Sequence, residues 1–511
     1  MSTGGFGRHG ELAQDKKLLS VRSQTVGVLI AVFGAIVPLA LVISSNFGTW
    51  SYIPLVLCLG IVFLLLLGFE WRRAGHPLTP VGVICLGGLL IAVLRPITIQ
   101  TSGFTTAGAL LDSRRFVGPV QEAAVVAIAQ WLLFVVSMAI IYLVLYAKGW
   151  TSAPASDQAL PPAVANRAVM LLLGAMVIAL VSAALLIQSS GGLAAHFSGV
   201  SVRSAFLAGR YYLTLGYVPL AVALVLYVEV RRRSVDLTVW TPLALVAAVL
   251  LLLTAFITGG RGPLVLGAVL PLLLLKQTGP RPISNVRLVL LGAGMIIAAM
   301  IMSLALRENQ YDGGESLQAL ETNPVATLLD RLTSGAETRP FDSLTLLNMY
   351  DREGEVPRLY GSTYPKLFTY FLPSSIYPAK DGGANTFFTE RYLPRFYYPF
   401  RIETSISAVG EGFLNFGWIG VALSGALVGF AAARFLRLGA QASVTRKSLQ
   451  VLLTPIFFSF VRGDSYQNLS LALFVSALVV MGVRAIGASI SSGPDISVPP
   501  SDVRLRRTTN R

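Results

Sequence analysis

A chain of 511 residues that is 54% apolar and 13% charged, with a mean hydropathy of +0.68, has lipid and not water as its main solvent. Its net charge of +15 flanks apolar runs instead of covering one face of a polar domain, which excludes a nucleic-acid binder. The two cysteines, Cys58 and Cys85, lie inside apolar runs, so neither a disulfide framework nor a cysteine metal site is expected.

Apolar runs of roughly 17 to 25 residues recur, the length a helix needs to cross the hydrocarbon core. Solid runs of this kind also exclude a β-barrel, whose strands would alternate. The predicted spans are 25–44, 53–69, 81–99, 123–147, 168–187, 213–230, 239–258, 263–275, 288–306, 413–435, 449–460 and 469–483. The fold class is therefore an all-α polytopic membrane protein of about 12 transmembrane helices. The first run follows a polar start and lacks a small-residue cleavage site, so it is expected to be a retained span.

Lys and Arg resist translocation, and they alternate between the loops: Lys16, Lys17 and Arg22, then Arg72 and Arg73, Lys148 and Arg167, Arg231 to Arg233, Lys276, Arg281 and Arg287, Arg434 and Arg437, Arg446 and Lys447. That face is predicted to be cytoplasmic, together with both termini. The chain then divides into a cytoplasmic tail (1–24), nine spans (25–306), an extracytoplasmic loop with interfacial helices (307–412), three further spans (413–486) and a disordered cytoplasmic tail (487–511). No repeat relates the two halves, which argues against the paired-repeat plan of a transporter.

Several charged residues gain nothing from this topology. Arg203, Arg210, Arg261 and Arg462 fall in short outer loops. Guanidinium groups bind phosphate oxygens bidentately, so a diphosphate at the outer face would suit them; the plain alternative is snorkelling or pairing, as of Arg462 with Asp464. The segment Thr258-Gly259-Gly260-Arg261-Gly262-Pro263 enters a helix directly and would present free N–H groups to an anion, or else is a tight turn. The runs 263–275 and 449–460 are short for a crossing, and Pro455 interrupts the second. Such broken helices occur beside water-filled clefts, or accompany bilayer thinning.

The long loop is dense in aromatic residues, among them Tyr350, Tyr360, Tyr364, Phe368, Phe388, Tyr392 and Tyr398. Aromatic rings of this kind serve membrane interfaces and the faces of sugar rings alike. The loop ends in Arg401 and Glu403, followed by Ser407, Glu411 and Asn415, of which the last three share a helical face. Carboxylates at the mouth of a span are candidates for a general base, or are simply favoured by the helix dipole. The histidines, His9, His76 and His196, all lie outside the loop. An all-carboxylate divalent site on Asp342, Asp351 or Asp381 stays open without a diagnostic spacing.

In order, SVRSAFLAGRYYLTLG, TGGRGPLVLGAVLPLLL, ETSISAVGEGFLNFGWIGVALSGALVGF and FVRGDSYQNLSLALF resemble the Wzy-type O-antigen or oligosaccharide repeat-unit polymerases over roughly residues 188–483. The resemblance implies a GT-C-like glycosyltransferase in the bacterial inner membrane, working on polyprenyl-diphosphate-linked oligosaccharides without nucleotide sugar, metal or cofactor. It implies inverting transfer with polyprenyl diphosphate as leaving group. Arg261 and Arg462 would neutralise the diphosphate and Glu403 or Glu411 would accept the hydroxyl proton. Arg203, Arg210, Arg401, Asn415 and Asp464 would bind substrate. Membrane lipids, a chain-length regulator and a flippase are the implied partners. An O-antigen ligase would be expected to carry a histidine in the long loop, and an exporter or flippase would show pseudo-symmetric halves; both are the weaker readings.

Overall fold

The computed structural model describes residues 52–102, 119–147, 160–196, 211–234, 241–258, 339–369, 382–398 and 403–487, with short gaps, plus isolated positions between them. Among these, the helices are α1 (Ile53–Ala74), α2 (Pro80–Ile99), α3 (Pro119–Ala147), α4 (Pro162–Ser189), α5 (Tyr217–Arg233) and α6 (Pro242–Ile257). They continue with α7 (Arg339–Arg352), α8 (Ala384–Tyr392), α9 (Ser407–Gly439), α10 (Val444–Leu453), α11 (Ile456–Arg462) and α12 (Ser465–Ile486). No strand occurs among the described residues.

The chain is a multi-pass membrane protein. Seven helices, α1 to α5 with α9 and α12, are long and apolar enough to cross a bilayer. They coincide with seven of the expected spans. The run 239–258 forms the shorter α6, and 449–460 divides into α10 and α11 across Thr454 and Pro455. The division follows from proline, which removes a helix hydrogen bond and clashes with the preceding turn. The expected spans at 25–44, 263–275 and 288–306 lie outside the described residues, apart from isolated positions. The count of twelve and the extent of the long loop therefore rest on the sequence.

Helix ends follow local chemistry. Proline stands in the first turn of α1, α2, α4 and α6, where its missing N–H is harmless, and Thr79 and Thr241 cap α2 and α6 by accepting from Gly82 and Ala244 N–H. The α1 terminus carries Arg72 and Arg73, which suit the negative end of the dipole.

Two apolar cores result. One joins α1, α2, α3, α7, α8, α9 and α11; the other joins α4, α5, α6, α10 and α12. In the second core α5 is the enclosed axis and α4 the outer wall, with Met170, Val177 and Leu180 turned outward as a lipid-facing helix requires. In the first, α3 and α9 meet backbone to backbone. A Cβ on Gly425 would stand 2.2 Å from the Phe134 carbonyl oxygen, and one on Gly429 would stand 2.3 Å from that of Met138. This small-xxx-small pair lets the two helices approach where lipid supplies no hydrophobic drive of its own.

Polar groups placed at membrane depth are satisfied internally. Helix α2 widens into a π-turn at Leu89–Leu94, the residue after which is Arg95. Its buried guanidinium makes a bidentate pair with Asp342 of α7, at 3.0 and 2.8 Å. One and a half turns further along α7, Asn348 and Gln130 of α3 exchange amide hydrogen bonds of 2.9 Å each. Helix α7 falls inside the segment expected to be an extracytoplasmic loop, yet residues 340–349 are all buried, docked on α3 and the π-turn. At the opposite helix ends, Glu70 holds Arg73 and Tyr142, while Glu229 holds Arg232 and Arg233.

Candidate functional site

The site forms where the GEGFLNFG and FVRGDSYQN segments meet residues of the expected long loop, among them Thr363, Asn385 and Thr386. Helix α9 begins at Ser407, whose φ of 61° is left-handed for a side chain with a Cβ, and breaks at Phe416 and Gly417. Gly417 accepts the reversal because its φ is 62°. The break folds the first two turns back on the rest, so that a Cβ on Gly412 would lie 2.6 Å from the Gly420 carbonyl oxygen. Residues 407–415 thus form a separate arm, and the face shared by Ser407, Glu411 and Asn415 points into the protein, all three being buried.

Glu411 lies at the centre. Its Oε1 accepts from the Thr363 hydroxyl at 2.9 Å and the Ser465 hydroxyl at 2.7 Å, and its Oε2 accepts from the Ser465 N–H at 2.7 Å. Three donors from two distant segments converge on one carboxylate that is 1% exposed. Asn415 closes the same knot: its amide donates to Thr363 Oγ1 and to the Glu411 carbonyl, and accepts from Gly361 N–H at 2.8 Å. Tyr364, next to this knot, has its phenol pushed up to about 12 by burial and by the nearby Glu411 charge, against hydrogen bonds from Ser424 and Asn415.

Asp464 follows α11 and precedes α12, two residues beyond the half-buried Arg462 that ends α11. Its buried carboxylate accepts from Asn385 N–H at 2.9 Å at the start of α8. Glu403 is different. The residue as a whole is exposed, and its Oε1 accepts from the Thr386 hydroxyl at 2.7 Å. Protein packed around this carboxyl pushes its pKa above the usual carboxylate value, Thr386 opposes the rise, and the charge of Asp464 adds to it. A raised proton affinity in an otherwise exposed residue is what a general base at this boundary needs.

The structure therefore brings together Glu403, Glu411, Asn415 and Asp464 at one junction, and Arg462 ends α11 two residues before Asp464. Arg203, Arg210, Arg261 and Arg401 lie outside the described residues. Of the carboxylates weighed for a divalent ion, Asp342 is engaged by Arg95 and Asp351 by Arg358 at 2.7 Å, and Asp381 lies outside the described residues. No group of three or more potential ligands able to hold a metal occurs among the described residues. The sequence reading passed over Thr363, Asn385, Thr386, Thr389 and Ser465. The available signal was α8 itself, where Asn385, Thr386 and Thr389 put three polar groups on one face of a helix that also carries Phe387, Phe388 and Tyr392.

The family model described as "O-antigen polysaccharide polymerase Wzy" matches residues 168–488, more than half of the chain. The chain belongs to this family. The match begins at α4 and ends just past α12, so it covers the second core, the arm of α9 and the Arg462 to Asp464 turn, and leaves α1 to α3 outside. No curated protein and no solved structure gives a significant match. Wzy polymerases act on lipid-linked oligosaccharide repeat units within membranes, and the apolar helices among the described residues, with a polar junction beside them, are consistent with that setting.

Proposed function

We propose that this Wzy-family polymerase is a GT-C-like glycosyltransferase that joins polyprenyl-diphosphate-linked repeat units at the extracytoplasmic face of the bacterial inner membrane. Both termini face the cytoplasm in this reading. The hydroxyl of an incoming repeat unit attacks the anomeric carbon of the growing chain. The new C–O bond forms as the bond to phosphate breaks, polyprenyl diphosphate leaves with the electron pair, and the configuration inverts.

The observation that carries the reading is the pairing of an exposed Glu403 with a buried carboxylate framework at a single junction of the family's motifs. Glu403 takes the hydroxyl proton, because it alone of the three acids is an exposed residue. Glu411 has its oxygens occupied by three protein donors and sets the position of Ser465 and Thr363. Asn415, whose amide is spent within the protein, braces that arm. Arg462, at the end of α11 two residues before Asp464, neutralises charge that develops on the diphosphate, a contribution usually among the largest in catalysis. Arg261, Arg401, Arg203 and Arg210 are assigned to the same diphosphate, and Asp464, buried against the start of α8, to holding that helix in place. No step calls for a metal ion or nucleotide sugar. A chain-length regulator and a separate flippase are the proposed partners.

Purified protein with a synthetic polyprenyl-diphosphate repeat unit should give a ladder of products without nucleotide sugar. Glu403→Gln should lower kcat by about 100-fold to 10,000-fold, the usual worth of a positioned base. Elongation by the Gln variant at the unaltered rate would remove Glu403 from the mechanism, and absence of any ladder from the unaltered protein would remove the mechanism itself.

A further inference from the structure

Helix α8 reaches the site twice, through the Asn385 N–H on Asp464 and the Thr386 hydroxyl on Glu403. We propose that α8 is the platform that orients the Glu403 carboxylate, with Thr386 as its positioning residue. The proposal rests on the reading of Glu403 as the base.

Two glycines let α8 begin where it does. A Cβ on Gly382 would lie 1.7 Å from Thr386 Oγ1, and one on Gly383 would lie 2.3 Å from Asp464 Oδ2 and 2.6 Å from the Tyr466 Cβ. Any larger residue would lift the helix start off Asp464. Once seated, the buried polar face of α8 stitches down the chain that carries Glu403. Asn385 Oδ1 accepts from Ile406 N–H at 2.9 Å, and Thr389 Oγ1 accepts from Thr404 N–H at 2.7 Å while donating to the Asn385 carbonyl at 2.8 Å. Backbone is thereby fixed at both Thr404 and Ile406, directly after Glu403.

With the backbone held, the freedom left to Glu403 is rotation of its side chain, and the Thr386 hydroxyl at 2.7 Å restricts it. Asn385, Thr386 and Thr389 are 3%, 8% and 0% exposed. Buried polar groups at this depth cost roughly 1 to 3 kcal/mol each when unpaired, so such a face persists only with its bonds made. The charged group acting on Glu403 from the α11–α12 turn is Asp464, which also faces Glu411 and is tied to α8 by the Asn385 N–H. Asp464 favours protonated Glu403 and Thr386 favours the carboxylate. Both influences are set by the seating of α8.

Thr386→Val keeps the β-branched shape and removes the O–H. In the full-length protein, with the polyprenyl-diphosphate repeat unit as probe, kcat should fall about tenfold, the equivalent of one lost hydrogen bond to a charged group, with KM within about a factor of two. The acid limb of the pH profile should move to higher pH, since the carboxylate loses a donor that stabilises its charged form. Thr386→Ser should restore both. Should the Val variant fail to fold, Thr386→Ala and Thr386→Ser make the comparison, with the Ala profile shifted and the Ser profile unshifted. A Val or Ala variant with unaltered kcat and pH midpoint, or a Ser variant that behaves like it, overturns the role of Thr386. If Glu403→Gln is active, the base assignment fails first; if Glu403→Gln is inactive while Thr386→Val is normal, only the platform fails.

Discussion

The Arg95–Asp342 pair offers the sharpest test of how the first core is held. Both side chains are nearly inaccessible, at 1% and 4%, and the bond is bidentate at 3.0 and 2.8 Å. Replacing Asp342 with Leu removes the bidentate acceptor of a buried guanidinium, and breaking a buried pair from one side costs about 3 to 5 kcal/mol. The apparent Tm in detergent should drop by on the order of 10 °C. Arg95→Met should do the same in the other direction. The double variant Arg95→Met/Asp342→Leu removes both charges and replaces them with apolar groups of similar size, so it should recover to within about 1 to 2 kcal/mol of the unaltered protein. Differential scanning fluorimetry on the four proteins closes the cycle. If Asp342→Leu melts with the unaltered protein, or the double variant melts below both single ones, the pair is hydrated or the α7 docking is held by something else.

Glu411→Ala leaves the Ser465 N–H, the Ser465 hydroxyl and the Thr363 hydroxyl without their acceptor; destabilisation of at least about 2 kcal/mol and faster proteolytic cleavage near residue 363 should follow, and unchanged cleavage would reduce Glu411 to a bystander. Gly425→Leu places a branched side chain where even a Cβ would meet the Phe134 carbonyl at 2.2 Å, so α3 and α9 must part by about 1 Å or more and forfeit a quarter to a half of their dispersion contact. Its yield of monodisperse protein should collapse, whereas Leu427→Ala, on the exposed side of α9, should leave it unchanged. Arg462→Ala should abolish polymer while the protein still inserts; normal polymer would clear Arg462 of the diphosphate role. Activity that depends on ionised Glu403 should be lost as pH falls through a midpoint above the usual carboxylate value, because the group's proton affinity is raised in the folded protein. A profile with its acid limb in the ordinary carboxylate range would place the base elsewhere.

Hydropathy made the spans legible because lipid forces every backbone group into a helix and every lipid-facing side chain to be apolar. Seven expected spans therefore recur as long apolar helices, with ends that differ by about six residues at most. Pro455 also made the break between α10 and α11 readable. Helix α7 was not readable. Its sequence, Arg339–Arg352, is too polar to look buried, and it is buried because Arg95 and Gln130 wait on other helices to satisfy Asp342 and Asn348. Arg95 in turn sits within an apolar run, where a window average conceals a single charge.

The site was half legible for the same reason. Ser407, Glu411 and Asn415 share a face at helical spacing, and that regularity survives in the arm of α9. Their role did not follow from it, because the spacing says nothing about Ser465 or Thr363, which lie 54 and 48 residues away and decide that Glu411 is enclosed. Two glutamates that looked equivalent as candidate bases are separated by their surroundings: one is buried with both oxygens bonded within the protein, and the other is an exposed residue whose Oε1 accepts from Thr386. The difference comes from the reversal at Phe416 and Gly417, which turns the Glu411 arm inward, and from the Gly382-Gly383 start of α8, which leaves Glu403 at the edge. In this chain, glycines placed at two backbone contacts, more than the acids themselves, determine which carboxylate can meet a substrate.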